Sequence, residues 1–438
     1  MNRNVASIII VSFLCMIMVG TLLLSLPMST RNQSMPFEDA LFTATSAVTV
    51  TGLIVRDTPH FFTPFGQGVI LLLIQLGGLG FMSFSTLIIL LLGRSLSFTD
   101  QSLILTDFTT GSGRNIRVIV KRIFAFTFTF EALGALALYF QFSHLSGLQR
   151  IFNAVFHSIS AFCNAGFSLF SNSLEDFAAS PGINLTFMIL IIAGGIGFIV
   201  LNDLLVCCRR GNRPARLSLH SKVALKVSAI LIIAGFLIIW LEEINHPEST
   251  LTGGSRLLTS LFQSVTARTA GFNTIDMNLL SPAALFLIIF LMFIGASPGS
   301  TGGGVKTTSL GMVFAYMRSH LRGRDRVSLY YRNIPVHNIE RAFMVIIVSL
   351  GVIGISFLLL ASFQPELPFP HLMFEAVSAF GTVGLSLGIT SGLTLASKIV
   401  IMLTMFIGRI GPLTLLIALS SGRVRGVYQY PEESIMIG

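Results

Sequence analysis

Charged residues are scarce in this chain of 438 residues. Asp, Glu, Lys and Arg together make up 11% of the sequence, whereas 53% of the residues are hydrophobic and the mean hydropathy is +0.81. A soluble protein of ordinary composition would have about a quarter of its residues charged. The composition therefore excludes a typical soluble globular protein and predicts an all-α polytopic membrane protein.

Cysteine is also rare, and the four cysteines have neither the spacing of zinc ligands nor a secreted context. The apolar stretches contain no His, Asp or Glu cluster with metal-ligand spacing and no paired carboxylates. These absences argue against a membrane enzyme with an intramembrane site. We expect no cofactor and no catalytic residues.

Eight apolar stretches are long enough to cross a bilayer, which takes about 20 residues. They run approximately over 5–27, 66–93, 118–140, 183–208, 222–241, 282–317, 340–362 and 393–420. The first is too long for the core of a signal peptide, so we expect it to remain as a span. No soluble domain is expected before or after the membrane part.

A shorter motif lies between the two members of each pair of spans. It begins with Phe, continues with Ala, Ser and Thr, ends with Gly, and recurs about every 110 residues. The four copies are 42–52, 156–166, 262–271 and 374–384. A helix of ten to fourteen residues is only ~15–21 Å long, against a hydrocarbon core of ~30 Å. Each copy is therefore predicted to enter and leave the membrane on the same side.

The chain thus divides into four repeats of outer helix, pore helix and inner helix. We predict repeats at 1–100, 101–215, 216–330 and 331–425, the third with a broken inner helix, followed by a cytoplasmic tail at 426–438.

Basic residues indicate the orientation of the repeats. The termini and the linkers between repeats hold 21 of the 28 Lys and Arg residues, which places them and both termini in the cytoplasm. This asymmetry explains the pI near 9.8 without a nucleic-acid partner. All four repeats then share one orientation, unlike the halves of inverted-repeat transporters. We therefore predict eight transmembrane helices and four re-entrant pore helices around a pseudo-fourfold axis.

The Gly-ended segments are predicted to form a selectivity filter. Irregular backbone inside a membrane is tolerated only where protein or water surrounds it, and rings of backbone carbonyls can replace the hydration shell of a cation. Four interhelical loops with turn glycines are the alternative reading. The predicted filter residues are Val50, Thr51 and Gly52; Asn164, Ala165 and Gly166; Thr269, Ala270 and Gly271; and Thr382, Val383 and Gly384.

The third inner helix is interrupted by five glycines and a proline within residues 295–309. Each Gly costs about 1 kcal/mol in a helix and each Pro about 3 kcal/mol, so an unwound loop is predicted. The spacing of glycines and Lys306 does not fit a nucleotide-binding P-loop. The predicted gate comprises Gly295, Ser297, Gly299, Ser300, Thr301, Gly302, Gly303, Gly304, Lys306 and Arg409.

Arg409 stands alone on an apolar helix, where a charged side chain usually faces an interior cavity. It is either a positive barrier in the ion path or a structural tie to Glu131 or to carbonyls of the loop. We expect Arg268 to form a buried hydrogen bond behind the filter. His157 and Glu375, which occupy one repeated position, are expected to anchor pore helices, and proton coupling through them is the alternative.

Two motifs resemble known sequences. Thr382-Val383-Gly384 is similar to the start of potassium-channel filters, and 266–274 is similar to the third pore segment of KtrB-type membrane subunits. With four filter glycines, nearly the whole chain resembles the Trk/Ktr/HKT superfamily of potassium transporters. The third pore segment is one residue shorter, so the fourfold symmetry is expected to be approximate.

The resemblance implies potassium uptake as the channel-like subunit of a Ktr-type system, with K⁺ bound only at the filter and a gate formed by the loop and Arg409. The ending 428–438 resembles that of KtrB-type proteins. It implies a homodimer in a bacterial inner membrane, with a cytosolic KtrA-type RCK ring that binds nucleotides. Activation by Na⁺ stays open, and a sodium- or proton-coupled secondary carrier is the alternative function.

Overall fold

The structure, a computed structural model, describes residues 3–31, 34–80, 116–209, 217–245, 253–324, 326–412 and 414. The tail 426–438 and the repeat boundaries at 100 and 215 lie outside these residues. The described part contains fifteen α-helices and one two-stranded hairpin, which confirms the all-α fold class.

In chain order the helices are α1 (Arg3–Leu24), α2 (Phe37–Val48), α3 (Thr58–Phe61), α4 (Pro64–Leu79), α5 (Ile116–Gln141), α6 (Gly147–Phe162), α7 (Pro181–Ile196), α8 (Phe198–Arg209), α9 (Leu219–Asn245), α10 (Gly253–Thr266), α11 (Pro282–Phe293), α12 (Thr307–His320), α13 (Val336–Phe363), α14 (Phe369–Gly381) and α15 (Leu395–Ile410). The hairpin pairs β1 (Ser328–Leu329) with β2 (Arg332–Asn333) between α12 and α13.

The outer helices of the four repeats are α1, α5, α9 and α13. Within the described residues, these four helices are long and apolar enough to cross a membrane. Their bounds differ by only a few residues from the predicted spans, because the ends of a long uninterrupted apolar run coincide with the ends of the helix that crosses the membrane. The prediction of a multi-pass membrane protein is confirmed.

The pore helices are α2, α6, α10 and α14, with 12 to 16 residues each. The phenylalanine that opens the repeated motif is fully buried in every copy. The four are Phe42, Phe156, Phe262 and Phe374. These short helices are thus held by packing inside the protein, and each is followed by an irregular strand rather than by a second half-membrane helix.

The inner helices are α4, α7, α11 and α15. Three of them begin at a capping residue whose hydroxyl accepts a hydrogen bond from a backbone N–H three residues later. The capping residues are Thr63, Ser281 and Thr394. Three end at a glycine with positive φ, which terminates the helix: Gly80, Gly197 and Gly411.

The second repeat corrects one expectation. The glycine pattern predicts a break only in the third inner helix, and a single span over 183–208. Instead α7 ends at Gly197, and α8 leaves it at an angle of 102°. In the third repeat a long loop, 294–306, separates α11 from α12.

The repeats close into a ring. Each inner helix packs against the pore helix of the next repeat, α4 on α6, α7 on α10, α11 on α14, and α15 on α2. The last contact joins the fourth repeat to the first. This closed order confirms the pseudo-fourfold arrangement, with the irregular strands after the pore helices at its centre.

Candidate pore and intramembrane loop

The four predicted filter glycines lie side by side in one ring. A Cβ built on Gly52 would lie 3.0 Å from Gly166 Cα, and one on Gly166 would lie 3.1 Å from Gly271 Cα. A Cβ on Gly271 would lie 3.3 Å from Gly384 Cα, and one on Gly384 would lie 3.0 Å from Gly52 Cα. All four glycines have φ between 71° and 92°. Only glycine takes this conformation without strain, and no side chain fits at these contacts.

Carbonyl groups contribute to the same ring. In each repeat, the carbonyl oxygen of the residue just before the glycine contacts the glycine of the preceding repeat. These oxygens belong to Thr51, Ala165, Ala270 and Val383. Ala165 O, for example, contacts Gly52. The structure therefore places a backbone carbonyl beside a predicted filter glycine at each of the four junctions between neighbouring repeats. Such oxygens are the ligands that carbonyl filters use for a dehydrated monovalent cation.

A second left-handed position precedes each glycine by two residues. Val50, Asn164, Thr269 and Thr382 have φ values between 50° and 77°. For β-branched Val and Thr this conformation is uncommon and costs roughly 1–3 kcal/mol, so the surrounding structure must impose it. No local propensity in the sequence indicates this feature.

We call the irregular segment after each pore helix, which contains the predicted filter triplet, a filter strand. In every repeat a hydroxyl group four residues after the buried Phe forms a hydrogen bond with the backbone of this strand. Ser46 and Ser378 accept hydrogen bonds from Gly52 N and Gly384 N at 3.0 and 3.1 Å. Ser160 Oγ and Thr266 Oγ1 donate to Phe167 O and Phe272 O at 2.7 and 2.6 Å. The recurring Ser or Thr in the motif was the available signal, but its partners follow only from the fold.

His157 and Glu375, which were expected to anchor pore helices, lie on α6 and α14 and bond the segments that follow the filter positions. His157 Nε2 lies 3.1 Å from Ser168 Oγ and accepts from Leu169 N at 3.2 Å. Glu375 accepts hydrogen bonds from Ser386 Oγ at 2.8 Å and from Thr390. Both side chains are fully buried.

The loop between α11 and α12 lies against the filter strands. Gly303 N donates to Thr382 Oγ1 at 3.1 Å, and Thr301 Oγ1 donates to Phe162 O at 3.2 Å. A Cβ on Gly302 would collide with Thr269. The loop therefore touches the ends of two pore helices and two of the left-handed filter positions.

Other loop residues fix its shape instead of touching the filter. Ser297 Oγ lies 2.9 Å from Thr307 Oγ1, and Lys306 Nζ donates to Gly302 O at 2.7 Å. Gly299 O accepts from Phe198 N at 2.8 Å, where α8 begins, and Ser300 Oγ donates to Ser297 O. Gly295 and Gly304 are in contact with each other at the two ends of the loop.

Arg409 reaches across the ring from the fourth repeat. Its guanidinium donates to Thr301 O in the loop, to Gly77 O and, at 3.4 Å, to Gly78 O at the end of α4. One side chain thus links the loop to the inner helices of two repeats. The predicted contact with loop carbonyls is confirmed, whereas no hydrogen bond to Glu131 occurs in the described residues.

Glu131 has different partners. It is 5% exposed and accepts a hydrogen bond from Gln75 Nε2 at 3.3 Å, and Cys163 Sγ lies 3.9 Å from its other oxygen. Gln75 lies on α4, two residues before the carbonyl that Arg409 contacts. Glu131 therefore braces the helix end that receives the arginine.

Arg268 and Lys398 each have polar partners in the structure. Arg268 is buried and donates to Ser228 Oγ at 3.2 Å, with Gly295 O at 3.5 Å, which matches the predicted hydrogen bond behind the filter. Lys398 Nζ and Arg56 Nε contact the two oxygens of Asp39 at 2.6 and 2.8 Å.

Acidic side chains lie in the segments that follow the filter. Glu175 accepts from Asn273 Nδ2 at 2.7 Å. Partial burial, together with the nearby charge of Asp276, raises the pKa of Glu175 above its ordinary value. Among the described residues no group of three or more His, Cys, Asp and Glu side chains could hold a metal ion.

Comparisons with known proteins agree with this architecture. The family model of TrkH, described as a cation transport protein, matches residues 2–424. The Ktr system potassium uptake protein B of Vibrio alginolyticus is 38% identical over 434 residues, covering 98% of this chain and 94% of that protein.

Two further proteins are similar. The potassium/sodium uptake protein NtpJ of Enterococcus hirae is 38% identical over 442 residues, covering 98% of this chain and 96% of that protein. The crystal structure of the potassium transporter TrkH from Vibrio parahaemolyticus has the same fold, with a TM-score of 0.77 at 20% identity, over 96% of this chain and 85% of that one. The chain belongs to the TrkH family of cation transport proteins.

Proposed function

We propose that this chain takes up potassium across the cell membrane as the ion-translocating, channel-like subunit of a Ktr-type system. The observation that carries the proposal is the closed ring of four glycines with positive φ, each beside a carbonyl of the next repeat. A dehydrated K⁺ can exchange its water ligands for such a ring of oxygens. The names of the relatives in Vibrio alginolyticus and Enterococcus hirae, both potassium uptake proteins, support this choice of ion.

The filter residues are the twelve predicted from the sequence, 50–52, 164–166, 269–271 and 382–384. The test is potassium uptake in cells that lack their own uptake systems, expressing wild type, Gly52→Ser or Gly384→Ser. A Cβ at either position meets backbone of the neighbouring repeat, so both variants are expected to lose K⁺ preference over Na⁺. Gly392→Ser is the matched control, because nothing lies within 4 Å of a Cβ there. Wild-type preference in both filter variants would remove the filter assignment.

We propose that the loop 295–306 and Arg409 form the gate. Support comes from the loop's contacts with Thr382, Thr269 and Phe162, and from the hydrogen bonds that join Arg409 to the loop and to α4. The loop would move aside to let ions pass, and the arginine would hold it in the shut arrangement.

Removing this link is expected to raise potassium flux. Arg409→Ala, and separately a deletion within 297–304, should each give a higher initial rate of K⁺ uptake at equal amounts of protein. Arg409→Lys retains the charge but not the forked hydrogen bonding, so it separates a charge barrier from a mechanical tie. Unchanged flux in both the alanine variant and the deletion would contradict the gate.

We also propose the partners and the location of the protein. The chain would form a homodimer in a bacterial inner membrane, with both termini cytoplasmic, and would bind a KtrA-type RCK ring that responds to nucleotides. The distribution of Lys and Arg and the similarity to a Ktr system protein support this. Copurification of the ring with the full chain, and uptake with and without the ring, provide the test.

Sodium is proposed as an activator of potassium uptake. The name of the Enterococcus hirae relative includes both potassium and sodium, which favours a role for Na⁺ in this family branch. Potassium uptake measured over a series of external Na⁺ concentrations distinguishes activation, which saturates, from coupled transport, in which Na⁺ enters with K⁺ at a fixed ratio.

A further inference from the structure

A small cavity lies behind the third filter strand, between repeats 2 and 3. It has a volume of about 170 Å³ and is bounded by α7, α9, the end of α10 and the start of the loop. Most of its lining is aliphatic, including Ile191, Ile196, Leu225 and Val265, and Ala296 of the loop also lines it. A water molecule occupies about 30 Å³ in the liquid, so the space is larger than one or two waters need.

Arg268 lines this cavity without a counter-ion. The side chain is 8% exposed, and the described residues contain no carboxylate paired with it and no hydrogen-bond partner for its Nε. Ser228 and Gly295 satisfy only a terminal nitrogen. The negative end of α10, which stops two residues earlier, offsets the charge in part. A buried charge ordinarily has a partner, so this site calls for an anion.

The cavity opens on the side that faces lipid. Ala229 lines the cavity and is exposed, and its neighbours on α9, Ile230 and Ile233, are large apolar side chains that are more than half exposed. A ligand reaching Arg268 by this route would pass through the acyl region. It therefore needs an apolar tail as well as an anionic head.

We propose that this cavity binds a single-chain carboxylate amphiphile, with the carboxylate on Arg268 and the tail leaving past Ala229. The carboxylate would compete with Gly295 O for the guanidinium and loosen the start of the loop. It would also neutralise a positive charge close to the filter. Both effects favour cation passage, so the ligand raises potassium flux; this consequence rests on the proposed function.

The test uses the full chain in phosphatidylcholine vesicles with decanoate as the probe. Decanoate is expected to copurify with wild type and to raise K⁺ flux several-fold, whereas decanol, which lacks the charge, should do neither. Arg268→Gln should abolish binding. Ala229→Phe blocks the opening without touching the filter or the loop, so basal flux should persist while the response to decanoate is lost.

Several outcomes would overturn the proposal. Equal effects of decanol and decanoate would indicate simple filling of an apolar space, and an unchanged response in folded Ala229→Phe would place the ligand elsewhere. Stimulation by anionic phosphatidylglycerol vesicles without any fatty acid would assign the effect to a lipid headgroup. Decanoate binding is measured independently of transport. Normal K⁺ flux without bound decanoate would therefore reject only this binding site. Absence of K⁺ flux in wild type would reject only the proposed function.

Discussion

Single hydroxyl groups hold the filter strands in their strained conformation. Each repeat places a Ser or Thr four residues after its buried Phe, and each hydroxyl bonds backbone at the filter glycine or the residue after it. The left-handed residues two positions before the glycines need such support, because their conformation is unfavourable in isolation. The order of the filter therefore depends on side chains behind it.

Removing one of these hydroxyls should reduce selectivity. Ser378→Ala removes the acceptor for Gly384 N, a hydrogen bond worth about 1 kcal/mol, so the K⁺/Na⁺ flux ratio should fall by up to roughly fivefold. Ser362→Ala is the control, because that exposed hydroxyl bonds only a carbonyl of its own helix. Equal ratios in Ser378→Ala and wild type would show that the brace has no part in ion choice.

These residue contacts mark the limit of what the sequence predicts. The meeting of the four glycines in one ring was predictable, since four Gly-ended copies at matching positions require a common explanation. The left-handed Val50 and Thr382 were not, because intrinsic propensity disfavours them and only packing in the ring imposes them. Likewise the hydrogen bonds from Arg409 to Gly77 O and Gly78 O of α4 could not be predicted, because they depend on how the first and fourth repeats meet.

Among the helices, predictability follows the length of the apolar run. The outer helices matched the predicted spans closely, whereas the second inner helix, predicted as a single span over 183–208, did not. The inner runs contain glycines, and whether a glycine ends a helix depends on tertiary contacts. In α7 the first glycine of the cluster packs against Phe162 O, and the chain turns by 102° at Gly197. Hydrophobicity alone carries no information about such a turn.

A substitution in the loop should also affect the filter strand that the loop contacts. At Gly303 a Cβ would lie 2.8 Å from Thr382 Cγ2 and 3.1 Å from its Cβ, so Gly303→Ala must displace either the loop or the fourth filter strand. We expect a large change in K⁺ flux, measured in vesicles, with folding retained. Gly392→Ala, in open space, should behave as wild type. Wild-type flux in Gly303→Ala would indicate that the loop does not bear on the filter.

The ring of repeats is closed by an ion-pair cluster between the first and last repeats. Asp39 lies in the first turn of α2, is 2% exposed, and contacts Arg56 of its own repeat and Lys398 of α15. Like the packing of α15 on α2, this cluster joins residues that are far apart in the sequence. The fourfold order was predictable from the repeat, but the residues that close it were not.

Breaking this cluster should destabilise the whole protein. Asp39→Ala leaves Lys398, which is 13% exposed, without its partner, and loss of one member of such a buried pair costs about 3 kcal/mol or more. The Arg56 side chain is 40% exposed, so its pair with Asp39 adds little. A lower unfolding temperature of the purified protein is expected. Glu38→Ala, at the adjacent and less buried position, should cause little change. Equal unfolding temperatures for the two variants would assign closure of the ring to helix packing alone.

Membership of a family of transport proteins confirms the prediction that this chain is not an enzyme. The absence of paired carboxylates and ligand clusters from the apolar stretches pointed the same way. The feature that the sequence shows most clearly is a backbone one, the four glycines that have positive φ in the ring.

The most direct test of the account is the K⁺/Na⁺ flux ratio of the purified protein in vesicles, compared for wild type and for Gly→Ser at each of positions 52, 166, 271 and 384. The four glycines touch in one ring, so all four substitutions should lower the ratio, while Gly392→Ser should leave it unchanged. A wild-type ratio in the folded ring variants would contradict a selectivity filter built from these four segments.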